Sequence, residues 1–400
     1  MSYFLSRFKF VKFKDILSIF ALMLVFIPAM IAKIFIRNFW LVCEDKNEAR
    51  DNGYWLFKYI REKHPEVKVA YAINKKSVDY KKVKDLGKVI SFGTIEHWFW
   101  YLVADKNVST QKNGKPNSAL CYVFEVVLGM RKKNRYFLQH GIIMNDLEFL
   151  HNSNAKMYRF FTSTTEEHKY VSENFGYKPE QVVLTGLSRF DNLSNEKMNP
   201  KQILIMPTWR NWIAREVECE KYEGTKVFEE TGYYKTWSAF LNNKEFDAFL
   251  SKHGLTAIFY PHRNMQKYID LFKTESKNIK IANFGEYDVQ GLINESACMI
   301  TDYSSVLFDF AYLGKPVIFY QFDEKKFREG QYKEGYFSYK NTVLGDWTET
   351  DKGVLELLEK KVKDFNKPNT ERIKSCFKFV DKNNNERVFE EIKNANKKKN

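Results

Sequence analysis

The chain has 400 residues, 44% of them hydrophobic; this excludes global disorder and accommodates two or three domains of ordinary size. Its 64 Lys and Arg against 50 Asp and Glu leave a formal charge of +14, a field that suits polyanions, an anionic membrane surface or nucleic acid without choosing among them. Five scattered cysteines, Cys43, Cys121, Cys219, Cys298 and Cys376, show neither CxxC nor zinc spacing and fit a reduced compartment with buried thiols.

The first element is apolar. Arg7, Lys9, Lys12 and Lys14 precede a charge-free run from Ile16 to Ala32, and Lys33 and Arg37 close it. That run spans about 25 Å as a helix, less than the roughly 30 Å hydrocarbon core. Pro28 is expected to kink it, and cations at both ends give no bias toward a crossing. Ala29-Met30-Ile31-Ala32 is a poor signal-peptidase site. Residues 1–37 are therefore read as a monotopic anchor in the cytoplasmic leaflet, ahead of a transmembrane span or a buried helix.

From Phe39 onward short β-rich runs alternate with helical patterns. "DNGYWLFKYIREKHP" predicts a helix from Asp51 to about Lys63, stopped before Pro65. "VKVAYAIN", "GKVISFG", helical "TIEHWFWYLVAD", "KNVST", "RYFLQHG", "YRFFTST" and "QVVLTG" follow. This βαβ rhythm implies a parallel sheet covered on both faces. Asn, Lys and Pro in "LSNEKMNPK", Leu193–Lys201, mark a break. A second series then runs through "QILIMPTW", "LTAIFYPH", "IKIA", "ACMITD" and "PVIFY". Four segments result: 1–37, an α/β lobe over 38–194, a second over 195–375, and a helix with a basic tail over 376–400.

Ligands of open α/β sheets bind beyond the strand C-termini, so residues there are the first candidates. His140 follows "RYFLQ" and precedes Gly141, where an imidazole can act as a general base or serve as a structural hydrogen-bonding group. His262 ends "IFYPH". The remaining histidines, His64, His97, His151, His168 and His253, read as surface groups. "MPTWR" sets Thr208 and Arg210 at another strand end, the arginine offering a planar fork for phosphate oxygens. Arg189 and Asp191 in "TGLSRFD" stand just before the break. In "ACMITDYSSVLFDFAYLGKPVIFY" the strand reaches Thr301-Asp302 and a helix is expected from Tyr303 or Ser304 to the Gly314 stop. Ser304 and Ser305 would add hydroxyls to its unpaired N–H groups, forming a phosphate seat. Asp309 lies on the same face and is read as orienting a neighbouring cation, hydroxyl or backbone group. Walker A, GxGxxG, GxSxG and HExxH sequences are absent, as is a DxD pair at a strand end.

The ordered set "NVST", "FLQHGI", "TGLSRFD", "MPTWR", "YPH" and "ITDYSSVLFDFAYLGKPVIFY", with "DNGYWLFKYI" and "HPEVKVAYAI" before it, resembles the CDP-glycerol glycerophosphotransferase family of teichoic-acid primases, polymerases and related capsule enzymes. The likeness covers roughly residues 38–340. It implies a GT-B-like fold of two Rossmann-like lobes with an interlobe cleft, residues 38–194 being the acceptor side and 195–375 the CDP-donor side. By the match of motifs His140 is the candidate base and His262 its partner, in Pro-His rather than His-Pro order. Ser304, Ser305 and Asp309 fall on the family's donor-phosphate helix, with Thr208, Arg210 and Thr301 beside it and Gly141, Arg189 and Asp191 as acceptor-side candidates. The implied reaction is attack of an acceptor hydroxyl on the alditol-bearing phosphorus of a CDP-alditol, with CMP leaving. The resemblance implies no tightly bound cofactor and no protein-bound divalent metal. The expected partners are CDP-glycerol or a related CDP-alditol such as CDP-ribitol, a lipid-linked glycan or polyol-phosphate acceptor, and an anionic membrane surface at the cytoplasmic face; nucleic acid is not among them. A GT-B glycosyltransferase using a nucleotide sugar and a non-catalytic membrane-associated polyanion-binding protein are the alternatives.

Overall fold

The structure, a computed structural model, describes residues 13–130, 134–213 and 228–395. Cys219, in the run from 214 to 227, lies outside the described residues. The chain forms two compact units. Among the described residues, the first holds those up to Ile142, Glu148–Asp191 and those from Asp381 on; the second holds Ile143–Leu147 and those between Asn192 and Val380.

The first unit is built on β1 (Trp40–Cys43), β2 (Val69–Ile73), β3 (Val89–Ser91), β4 (Lys106–Ser109), β5 (Arg135–Phe137), β6 (Arg159–Thr162) and β7 (Val182–Leu184). Their order is β3-β2-β1-β4-β5-β6-β7 and every pairing is parallel. Strands buried on both faces must be apolar or hydrogen-bonded throughout, and all residues of β1, β2, β4, β5 and β6 are buried. The strand order reverses between β1 and β4, where Cys43 pairs with Ser109. That reversal opens a place for a ligand or a catalytic group beyond the strand ends.

The second unit repeats the plan with β8 (Asn199–Ile205), β9 (Thr256–Phe259), β10 (Ile279–Ile281), β11 (Ser296–Thr301), β12 (Val317–Tyr320) and β13 (Asp346–Thr348). All are parallel, in the order β10-β9-β8-β11-β12-β13. The reversal falls between β8 and β11, with Ile205 beside Ile300. β8 begins at Asn199, inside the segment read as a linker.

Two terminal helices complete the first unit. Phe13–Phe35 is one helix of 23 residues that runs through Pro28, about 34 Å long at 1.5 Å per residue and so longer than its charge-free run. Val25 and Ala29 are buried against the Ile95–Val103 helix. Ile16, Leu17, Phe20, Met23, Leu24, Ile27, Ile31 and Ile34 are exposed. Asn117 Nδ2 donates to Asp15 Oδ1 at 2.7 Å near one end, and Lys33 pairs with Asp105 at 3.7 Å near the other.

At the other terminus, the Asn384–Asn394 helix packs on the Asn52–Lys63 helix. Asp191 anchors it. Its carboxylate accepts from the backbone N–H groups of Asn384 (2.9 Å) and Asn385 (2.7 Å) and from both side-chain amides (2.7 and 2.8 Å). The expected acceptor-side role of Asp191 gives way to this one, because four donors already occupy its oxygens. Likewise the end of the chain belongs to the first unit's core, through Val388, Phe389 and Ile392, rather than forming a separate segment.

Candidate functional site

In the first unit β5 ends at Phe137, and the chain turns sharply at Gln139, whose φ of 63° lies in the left-handed region. A residue with a Cβ pays roughly 1–2 kcal/mol for that conformation. The Gln139 side chain offsets it, donating to Phe161 O at 2.5 Å and Glu167 Oε1 at 3.0 Å. The strained residue is Gln139 and not Gly141. His140 therefore leaves the sheet with its side chain 60% exposed.

The His140 ring meets a carboxylate. Nδ1 lies 2.5 Å from Asp51 Oδ2. Arg189 Nη1 donates to Asp51 Oδ1 and to the His140 carbonyl, both at 2.8 Å. Asn52 Nδ2 donates to the Gln139 carbonyl at 2.9 Å, and its Oδ1 accepts from Arg189 N at 3.0 Å. Beneath them the buried Glu44, just past β1, accepts from the backbone of Arg50 (3.0 Å), Asp51 (3.1 Å) and Tyr54 (2.6 Å). Burial and the Asp51 charge push the Glu44 carboxyl up to about 8. Desolvation by itself lowers the His140 pKa, but the Asp51 carboxylate outweighs it and holds the imidazole above its ordinary value. Asp51 moves the other way: against desolvation, His140 and Arg189 pull it below the usual carboxylate range.

In the second unit the loops after β8, β9 and β11 converge. Asp302 Oδ1 accepts from Thr208 N at 2.8 Å and Tyr303 N at 2.6 Å, which ties the β8 loop to the β11 loop. His262 N donates to Pro207 O at 3.0 Å, and its ring lies 6.2 Å from that of Trp209, nearly parallel. His262 Nδ1 accepts from Asn264 N at 3.2 Å. An Nδ1 that accepts from a backbone N–H carries no proton, so in the neutral ring the proton is on Nε2. Thr208 Oγ1 is buried and has no hydrogen-bond partner among the described residues.

Four expectations change here. The helix after β11 starts at Leu307, ending at Tyr312; Ser304 and Ser305 form the turn before it, with Ser304 Oγ accepting from Val306 N at 3.3 Å. Thr301 Oγ1 donates to Met206 O at 2.7 Å and serves the sheet. Arg210 is wholly buried: Nε lies 2.9 Å from Asp323 Oδ2, Nη2 lies 2.8 Å from Asp302 Oδ2, and Nη1 donates to Thr208 O at 2.7 Å. Its fork is filled by two carboxylates, so it braces the site rather than gripping a phosphate. His97 is not a surface group: it is buried, and burial pushes its pKa down to about 3. Asp309 is buried in the first turn of the short helix.

The sequence reading brought out His140 and the strand-end serines. It missed Asp51, Glu44, Gln139 and Asp323. Of these Glu44, Gln139 and Asp323 stand just beyond the ends of β1, β5 and β12, whereas Asp51 opens a helix. Among the described residues no group of three or more His, Cys, Asp or Glu is placed to hold a metal ion.

Three relatives bear on this geometry. The chain is 32% identical over 367 residues to the minor teichoic acid biosynthesis protein GgaB of Bacillus subtilis (strain 168), covering 88% of this chain and 39% of that one. It is 25% identical over 339 residues to a teichoic acid poly(glycerol phosphate) polymerase of the same strain, covering 76% of this chain and 41% of that one. The chain thus spans about two fifths of the length of these relatives. The solved structure of the wall teichoic acid polymerase TagF superimposes with a TM-score of 0.64 at 16% identity, over 90% of each chain, which shows the GT-B-like α/β fold. The pattern of the family described as CDP-Glycerol:Poly(glycerophosphate) glycerophosphotransferase matches residues 35–394, and with nearly the whole chain inside it, this protein belongs to that family.

Proposed function

We propose that the chain transfers glycerol phosphate from CDP-glycerol to a hydroxyl of a membrane-linked glycan or polyol-phosphate acceptor, releasing CMP, in teichoic-acid synthesis. The observation that carries this reading is the exposed His140 imidazole with Nδ1 on the Asp51 carboxylate. A ring that donates from Nδ1 presents Nε2 as a free base. Nε2 takes the proton of the acceptor hydroxyl, the oxygen attacks the glycerol-bearing phosphorus, and the bond from that phosphorus to the bridging oxygen breaks as CMP departs. Such a transfer depends on positioning and charge stabilisation more than on covalent catalysis. In the second unit the Nε2–H of His262, the Ser304–Ser305 turn and the unpartnered Thr208 hydroxyl are the donors assigned to the diphosphate, with Asp309 behind them.

The acceptor's chemistry agrees with the N-terminal helix. Its outer face is apolar, and its two ends are tied to the first unit at Asp15 and Lys33. A helix held that way lies along the unit, so we place it in the membrane interface, where the chain's net charge of +14 favours an anionic inner leaflet.

The test is release of CMP when the protein meets CDP-glycerol and a lipid-linked acceptor, with CDP-ribitol and nucleotide sugars in parallel. Release of a nucleoside diphosphate from a sugar donor, with CDP-glycerol untouched, identifies a glycosyltransferase instead. Binding without turnover of any donor identifies a polyanion-binding protein. Within the same assay, Ser305→Ala is expected to raise the KM for CDP-glycerol by about tenfold, the loss of one hydrogen bond to a charged group, with an unchanged melting curve. An unaltered KM moves the donor phosphates away from this turn.

A further inference from the structure

We infer that Asp51 is the positioning carboxylate of this reaction: it holds the His140 imidazole with its proton on Nδ1, so that Nε2 is presented to the acceptor hydroxyl as a base. The inference rests on the reading of His140 as that base, and it adds the residue that gives the base its tautomer and direction.

Asp51 is the N-cap of the Asn52–Lys63 helix, and capping requires one oxygen. Oδ1 does that work, accepting from Asn52 N at 2.8 Å, and it also meets Arg189. Oδ2 is directed at His140 Nδ1. An ion pair with so exposed an imidazole adds little to folding, so stability alone is a poor reason for the contact. The backbones on both sides are pinned by neighbouring groups. Glu44 holds the amide of Asp51, while Asn52 and Arg189 hold the carbonyls of Gln139 and His140. Neither the ring nor the carboxylate is left to find the other by side-chain rotation alone, which is the design of a supported catalytic group.

Charged groups around the ring fix the sign of its pH response. Asp51 and, more weakly, Glu48 favour the imidazolium; Arg189 and desolvation oppose it. Glu44 acts on the same cluster through Asp51. Replacing the Asp51 carboxylate by an amide removes the strongest stabiliser of the cation, so the His140 pKa falls and the acid limb of kcat/KM moves to lower pH.

The experiment uses the full chain with CDP-glycerol as donor. Asp51→Ala is expected to lower kcat by about 10–100-fold, with the KM for CDP-glycerol unchanged within about twofold, because Asp51 lies in the unit that does not carry the donor seat. Asp51→Asn is expected to shift the acid limb downward. In the wild-type protein, 15N spectra of the His140 ring above its pKa are expected to show the proton on Nδ1. Wild-type turnover in both variants, or an Nε2–H ring in the wild type, overturns the inference. The spectrum decides it even where a variant fails to fold. An inactive His140→Ala beside a fully active Asp51→Ala removes only Asp51 from the account; a fully active His140→Ala removes the base itself and Asp51 with it.

Discussion

His140→Ala is expected to lose about 10²–10⁴-fold in turnover, the usual contribution of a general base, while the protein keeps its fold. The two halves of that expectation have separate causes. The side chain is 60% exposed and the ring fills no core cavity, so truncation leaves no void of the kind that destabilises interiors. What disappears is the only group at this turn that can accept a proton near neutral pH. The pH dependence sharpens the point. The folded-state pKa of His140 is raised above its ordinary value, so its pairing with Asp51 stabilises the fold below the unfolded pKa and that small stabilisation is lost as pH rises through the folded pKa. Activity runs in the opposite direction, appearing as pH rises through the same pKa and frees Nε2. Turnover and stability moving oppositely across one titration is the signature of a base, and a pH series of initial rates and melting midpoints reads both. Turnover of His140→Ala within threefold of wild type takes the residue out of the mechanism.

Much of this architecture is legible in the sequence because parallel strands buried on both faces read as apolar runs, as in "QILIM" and "ACMIT", with functional residues at their ends. His140 is found by that rule alone. Asp51 is not, because a helix cap already accounts for an aspartate before "NGYWLF", and its second role depends on a histidine 89 residues away. Asp191 is hidden in the same way by distance: its amide partners are 193 and 194 residues further on. Ser304 and Ser305 read as the opening of a helix, but they form the turn before one that starts at Leu307. Leu307, Phe308 and Asp309 bond back three residues, to Ser304, Ser305 and Val306, a tight first turn that composition does not distinguish from an α-helical start. Arg210 shows the limit most clearly. A strand-end arginine reads equally as a phosphate fork or half of an ion pair, and only the position of Asp323, 113 residues on, decides between them.

That decision carries the second large expectation: Arg210→Met destabilises the protein by about 3–5 kcal/mol, the penalty for breaking a buried ion pair by removing one partner. Arg210 and Asp302 are both fully buried and Asp323 nearly so. Although burial alone disfavours its charge, Asp302 and Asp323 hold the guanidinium firmly protonated, and the rings of Tyr303, Tyr233 and Phe327 surround it at 4.9–5.4 Å. Methionine approximates the volume but leaves two carboxylates without the cation between them. Lysine restores a charge without the fork, so it can serve one carboxylate and not both, and its loss of stability should fall between those of arginine and methionine. Adding Asp302→Asn to Arg210→Met removes one of the stranded charges and should recover part of the loss, a non-additivity expected only of residues in direct contact. The melting curve is the deciding measurement. Asp302 also holds Thr208 and Tyr303, so loosening it reaches the donor seat and raises the KM for CDP-glycerol in either case. An Arg210→Met protein that melts as wild type but binds CDP-glycerol poorly would return Arg210 to the phosphates; one that melts early assigns it to the brace that holds the β8 and β11 loops together.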